Sequence, residues 1–111
     1  MFDFHLSRED GNSVLRITGE VAGDDDGEVL TEAFRFVQDD DRLVVDLSAV
    51  EQLDAGAARL LHDLMTVRSV IAESVIVTGH DDVLMQLVLH DVDRVCPIVP
   101  TIADAIGMIV R

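Results

Sequence analysis

The stretch Leu43-Val44-Val45-Asp46-Leu47 constrains the fold of this chain more than any other. Nearly continuous apolar residues without helical spacing describe a central strand covered on at least one face. The hydrophobic period around it changes repeatedly. Phe2, Phe4 and Leu6 alternate with Asp3, His5 and Ser7, the mark of a half-buried strand. Glu9-Asp10-Gly11-Asn12 is a turn, dense in residues that tolerate unusual backbone angles. Val14, Ile17 and Val21 follow in a second strand, so the first two strands pair as a hairpin. Gly23-Asp24-Asp25-Asp26-Gly27 reads as a polar loop leading to a helix, its acids suited to a helix N-terminus by the backbone dipole. Val29, Leu30, Ala33, Phe34 and Val37 then recur at helical spacing, and Asp39-Asp40-Asp41 is expected to end that helix.

Beyond the central strand, Ala49 to Leu53 reads as a short connection to Asp54, a good N-cap for a second helix with Ala57, Leu60, Leu61 and Leu64 on its apolar side. Val75-Ile76-Val77 is a short buried strand stopped at Thr78-Gly79. Asp81 or Asp82 is expected to cap a third helix carrying Val83, Leu84, Leu87 and Val88. Val95 to Val99 reads as a last strand, at an edge because Pro97 cannot donate to a ladder on both sides. Thr101 is expected to cap a final helix through Ala105, Ile106 and Ile109. The order β-β-α-β-α-β-α-(β)-α predicts an α/β fold: a mixed, mostly parallel sheet of four to five strands with about four helices. Residues 1–111, at 12.2 kDa, read as a single domain.

Charge narrows the function classes. Acidic residues number 22 and basic ones 8, all Arg, for a net charge of −14. Nucleic-acid phosphates and anionic lipid both need a basic face, so neither is an expected partner. The acidity also fits a salty host cytoplasm. No apolar run reaches the ~18 residues of a membrane span, and Met1 to His5 lacks the basic and apolar regions of a signal peptide. The single Cys96 cannot form an internal disulfide. These features predict a cytoplasmic location without membrane insertion.

Catalytic constellations are scarce. There is no Gly-rich phosphate loop, and His5, His62, His80 and His90 do not pair at metal-ligand spacing. The Asp24 to Asp26 run does not match a calcium loop, because Gly27 falls too early. No catalytic residue, metal or cofactor is expected, and the chain does not read as an enzyme. The informative stretch is Arg42 to Leu61, where a strand leads through Asp54 to a helix beginning Ala55-Gly56-Ala57-Ala58. Small residues there let another backbone come close and leave free N–H groups able to hold an anion. The plainer alternative is close packing of the helix on the sheet. Arg59, His62, Asp63 and Thr66 follow at three- and four-residue steps and are expected to face water beside Ala55 and Gly56.

These residues resemble the STAS domain, the module of anti-sigma-factor antagonists and of sulfate-transporter tails. Leu15 to Val21 is similar to the family's second-strand Gly-Glu-Leu/Val segment, and Leu43 to Val50 to its central strand. Leu53 to Ala58 falls on its Asp-Ser-Ser/Thr/Ala-Gly-Leu motif, and Asp93 to Val95 with Pro97 to Ala105 resembles its C-terminal segment. The resemblance covers essentially the whole chain. It implies a non-enzymatic partner-switching module that binds an anti-sigma factor or kinase-like regulator and influences transcription. The switch motif would be Asp54, Ala55, Gly56 and Ala57; the partner surface would be Ala22, Asp24, Asp25, Arg59, His62, Asp63 and Thr66. Two departures stand out. Ala55 occupies the position of the phosphorylated Ser, and Ala22 stands where a second carboxylate often follows. The phosphate switch is therefore expected to be lost, leaving binding constitutive or controlled elsewhere. The family also contains subunits that clasp the ATPase of bacterial lipid transporters, where no phosphorylation is needed, and members that bind nucleotides. A homodimer is left open.

Overall fold

The computed structural model describes residues 2–38 and 41–109. β1 (Phe2–Glu9) and β2 (Asn12–Val21) form the expected antiparallel hairpin. Asp10 and Gly11 turn it at φ 52° and 77°, the positive angles that a two-residue hairpin with Asp-Gly adopts. From β2 the chain passes through α1 (Gly23–Arg35), β3 (Arg42–Leu53), α2 (Ala55–Ile71), β4 (Ser74–Val77) and α3 (Asp81–Leu89). A single 3₁₀ turn at Val92–Arg94, β5 (Ile98–Val99) and α4 (Ile102–Ile109) complete it. The sheet order is β1-β2-β3-β4-β5, parallel from β2 onward.

The central strand is buried on both faces, which explains its unbroken apolar run. Leu43, Val45 and Leu47 join the main core with Leu15, Ile17 and Ile76, covered by Leu30 and Phe34 of α1, Leu61 and Met65 of α2 and Leu87 of α3. Val44 points the other way, into a smaller cluster with Val75, Val77 and Ala105 of α4. Alternate residues of β3 and β4 thus serve two layers.

Several boundaries differ from the sequence reading. Gly23 to Gly27 is the first turn of α1 rather than a loop, and Asp26 is buried there. Its Oδ2 accepts the Ala22 amide at 2.9 Å, while its own amide donates to Ala22 O at 2.8 Å. A carboxylate four residues on thus closes the helix start that Ala22 cannot cap. α1 ends at Arg35, before Val37; Asp39 and Asp40 lie outside the described residues. Ala49 to Leu53 is strand, because the far half of β2 pairs with it: Thr18 opposes Ala49 and Val21 opposes Leu53. Two register shifts, with Gly19 at φ 105°, accommodate the extra length. α3 starts after His80, without a side-chain cap from Asp81 or Asp82, which sit in its first turn. β5 keeps only Ile98 and Val99, because the amides of Val95 and Cys96 bond back to Val92 O at the end of the 3₁₀ turn instead of joining a ladder. Thr101 does cap α4, its Oγ1 accepting the Asp104 amide at 3.1 Å.

One polar cluster is built into the core edge. Asp41 is buried and accepts Arg8 Nε at 2.7 Å, Arg8 Nη2 at 3.1 Å and Ser13 Oγ at 2.7 Å. Arg68 Nη2, from the last part of α2, donates to the carbonyls of Gln38 and Asp41, each at 3.0 Å. The hairpin, the chain leaving α1 and the end of α2 are thereby tied together. Cys96 is buried, and burial pushes its thiol up to about 12, which makes it an unreactive core residue.

Candidate functional site

Two helix N-termini meet at Asp54. As N-cap of α2 it accepts the Ala57 amide on Oδ1 at 2.8 Å. The same oxygen accepts the amide of Gly23, the first residue of α1, at 2.9 Å. One carboxylate oxygen therefore satisfies a free N–H from each helix. Those amides, Ala57 before Gly23, hold the Asp54 carboxyl below its ordinary range, and the charge of Arg59 adds to them. Asp54 stays ionised at neutral pH.

The bond is possible because α1 is bare at Gly23, where it touches α2. A Cβ placed on Gly23 would lie 2.4 Å from the carbonyl carbon of Gly56. The small residues at the start of α2 divide by role: Ala57 and Ala58 are buried in the core, while Ala55 and Gly56 are half-buried at the surface. Close packing, the plainer reading of the small-residue run, accounts for Ala57 and Ala58, while Gly56 faces Gly23 with room for a Cβ. An external anion at this helix end would meet the Asp54 carboxylate, which already takes the Ala57 amide.

The residues singled out from sequence fall around this junction. Ala22 is half-buried at the head of α1, and Asp24 and Asp25 are exposed in its first turn. Arg59 and Asp63 are exposed on α2 and His62 is half-buried, its Nδ1 3.5 Å from Asp63 Oδ1. Thr66 is exposed, with its hydroxyl donated to His62 O at 2.6 Å. Thr66 lies eleven positions beyond Ala55, roughly 16 Å along the helix, so the junction and Thr66 are opposite ends of one strip. Among the described residues no group of three His, Cys, Asp or Glu could hold a metal.

Sequence reasoning missed three neighbours of the junction. Gly23 is the contact that lets α1 reach Asp54; its signal was a glycine at each of two helix starts. A shallow groove of about 560 Å³ runs between α1 and α2, with Gly27, Thr31 and Leu60 among its lining residues. On the other side of Asp54 a second depression, about 330 Å³, opens toward Asp82 and Met85 of α3. No sequence pattern places α3 beside Asp54, because that proximity comes from the strand order.

Asp54→Ala is expected to lower stability by about 1–2 kcal/mol, since an N-cap carboxylate is lost and a second helix loses an acceptor too. Asp54→Asn, which still caps, should lose less than half of that. Urea unfolding of both variants is the check.

Comparison with known proteins bears on the whole chain. A family model described as STAS domain matches residues 4–105. A solved structure of an anti-sigma factor antagonist from Mycobacterium paratuberculosis is similar at 25% identity and a TM-score of 0.87, over 98% of this chain and 94% of that one. A candidate anti-sigma factor antagonist from Thermotoga maritima shares the fold at 18% identity and a TM-score of 0.83, over 97% and 95% of the two chains. A comparison with curated proteins gave no significant match.

Proposed function

The chain belongs to the STAS-domain family, and from that premise we propose that it is a non-enzymatic interaction module that binds an anti-sigma factor or kinase-like regulator. The surface would be the start of α2 with the head of α1: Ala55, Gly56, Arg59, His62 and Asp63, beside Ala22, Asp24 and Asp25. Binding would sequester the regulator in the cytoplasm and so release a sigma factor. The observation that carries this reading is the junction itself. Asp54 and the Gly23–Gly56 contact hold two helix ends as one preformed surface, with little ordering left to do on binding. The similarity to an anti-sigma factor antagonist along nearly the full length supports the partner class.

Ala55 determines the mode of control. It is half-buried at the surface, at the first position of α2, and has no hydroxyl to phosphorylate. Binding at this point would be constitutive, set by abundance or by another site. Among the described residues no helix is long and apolar enough to cross a membrane.

The test is a tagged pull-down from native lysate, wild type beside the Ala55→Glu, Arg59→Glu double variant. A kinase-fold regulator recovered by the wild type, and at least tenfold less by the variant, is the expected result. Undiminished recovery by the variant would remove this surface from the interface. Recovery of an ABC-type ATPase instead would make the chain a transporter subunit and end the sigma-factor reading.

A further inference from the structure

α3 carries an apolar strip that nothing among the described residues covers. Val83 and Leu87 turn into the core, while Leu84, Met85, Val88 and Leu89 remain outside, Met85 57% and Leu89 65% exposed. Their spacing places them side by side along the nine-residue helix. Single exposed apolar residues are ordinary, but a contiguous strip with a polar rim marks a place of association. The rim here is acidic. Asp81 and Asp82 stand at the head of the helix, and neither pairs with a cation among the described residues. Asp91 stands at its foot, 3.6 Å from the nearby Arg94.

The strip is continuous with the junction at Asp54. The 330 Å³ depression between α3 and the start of α2 is lined by Gln52, Leu53, Asp54, Asp82, Met85 and Gln86. Two carboxylates from different elements, two side-chain amides and a thioether suit one kind of guest. A guanidinium or ammonium head gains from the carboxylates and donates further N–H groups to the amide oxygens. Its aliphatic stem lies on Met85. Asp54 is ionised and held in place by its two amide bonds, so its charge needs no rearrangement to receive such a head.

We propose that α3 is the second half of the docking surface, and that its occupant is an amphipathic segment of a protein partner with an Arg or Lys at its edge. The cationic head sits between Asp54 and Asp82, and the apolar face covers Met85, Val88 and Leu89. This extends the interface proposed above and rests on that reading. Charge complementarity selects the occupant. A second copy of the chain carries −14 itself, with no Lys, and would set one acidic rim against another. A nucleic acid or anionic bilayer is repelled by the same carboxylates.

The experiment places p-benzoylphenylalanine at position 59 on α2 or at position 85 on α3 in the full chain, cross-links in native lysate, and sequences the peptides attached. The expected result is one partner captured from both positions, with the peptide joined at 85 carrying Arg or Lys within a helical turn of the attachment. Asp82→Arg should then cut capture from position 85 at least fivefold, while Asp3→Asn, an exposed acid on the far edge strand β1, leaves it within twofold. Capture from 59 alone overturns the α3 proposal and leaves the α2 surface standing. Capture from neither overturns both. A cross-link at 85 to the chain itself, or to a peptide without a cation, also overturns it, as does indifference to Asp82→Arg.

Discussion

Gly23→Ala is expected to destabilise the chain severely while the reciprocal change Gly56→Ala is tolerated. The new Cβ at position 23 would lie 2.4 Å from the Gly56 carbonyl carbon and 2.6 Å from the Ala57 nitrogen. Both are backbone atoms of a helix packed on the sheet and cannot rotate aside, so α1 and α2 must separate. A Cβ at position 56 would meet Gly23 Cα at 3.4 Å and Asp54 Oδ1 at 3.5 Å, which ordinary packing absorbs. Overpacking costs about 1–3 kcal/mol. Separation also breaks the Gly23 N–H bond to a carboxylate, worth about 1.5–3 kcal/mol. Gly23→Ala should therefore lose on the order of 3 kcal/mol, or roughly 10 °C in Tm for a chain of this size. Gly56→Ala should stay within about 1 kcal/mol, since Ala is the better helix former. Thermal and urea unfolding of the pair decide it. Equal effects would mean that the helix junction is not a rigid contact, and the preformed surface would lose its basis.

Asp41→Ala is expected to cost about 3 kcal/mol. The change deletes two bonds from Arg8 and leaves the Ser13 hydroxyl buried without its carboxylate acceptor. Breaking a fully buried ion pair costs about 3–5 kcal/mol, but the Arg8 side chain is 56% exposed and regains water. Acid should act through the same group. The Arg8 hydrogen bond is the foremost cause holding the Asp41 carboxyl below its ordinary range, against the opposing effect of burial; Ser13 and the charge of Arg68 assist. A folded value below the unfolded one means that the unfolded chain binds the proton more tightly. The resulting stabilisation is complete above about pH 4 and is lost as pH falls through the folded value. Asp54 is shifted in the same direction and adds to this. Stability measured by urea unfolding should therefore fall steeply below about pH 4. Asp41→Asn should be less stable at pH 7 and lose less between pH 4 and pH 3. A slope equal to that of the wild type would show that Asp41 is not the group being titrated.

Much of the architecture was legible because it rests on local signals. Period-two alternation marked β1, the Asp-Gly turn closed the hairpin, Asp54 and Thr101 capped α2 and α4, and the solid apolar run at residues 43–47 announced a central strand. The misread boundaries share one cause. Ala49 to Leu53 lacks a strand pattern by itself, yet pairing with β2 extends β3 to Leu53. Gly23 to Gly27 looked like a solvated loop because its carboxylates resemble one another in sequence. Only in the fold does Asp26 turn inward to the Ala22 amide while Asp24 and Asp25 stay in water. In sequence Asp41 is one of three like acids with Asp39 and Asp40; the partners that set it apart, Arg8 and Ser13, lie 33 and 28 positions away along the chain.

The candidate site divides along the same line. Sequence alone determined the strand–Asp54–helix motif, the row Arg59, His62, Asp63 and Thr66 on one helix, and the absence of a hydroxyl at Ala55. Each is a matter of residue identity or of spacing within one element. Tertiary structure alone decided that Gly23 abuts Gly56, that Asp54 caps two helices, and that Met85 and Asp82 border it. Those facts depend on α1, α2 and α3 packing on one face of a sheet ordered β1-β2-β3-β4-β5. A helix's register on its neighbour is set by close packing between residues distant in the chain, and no local period in the sequence records it.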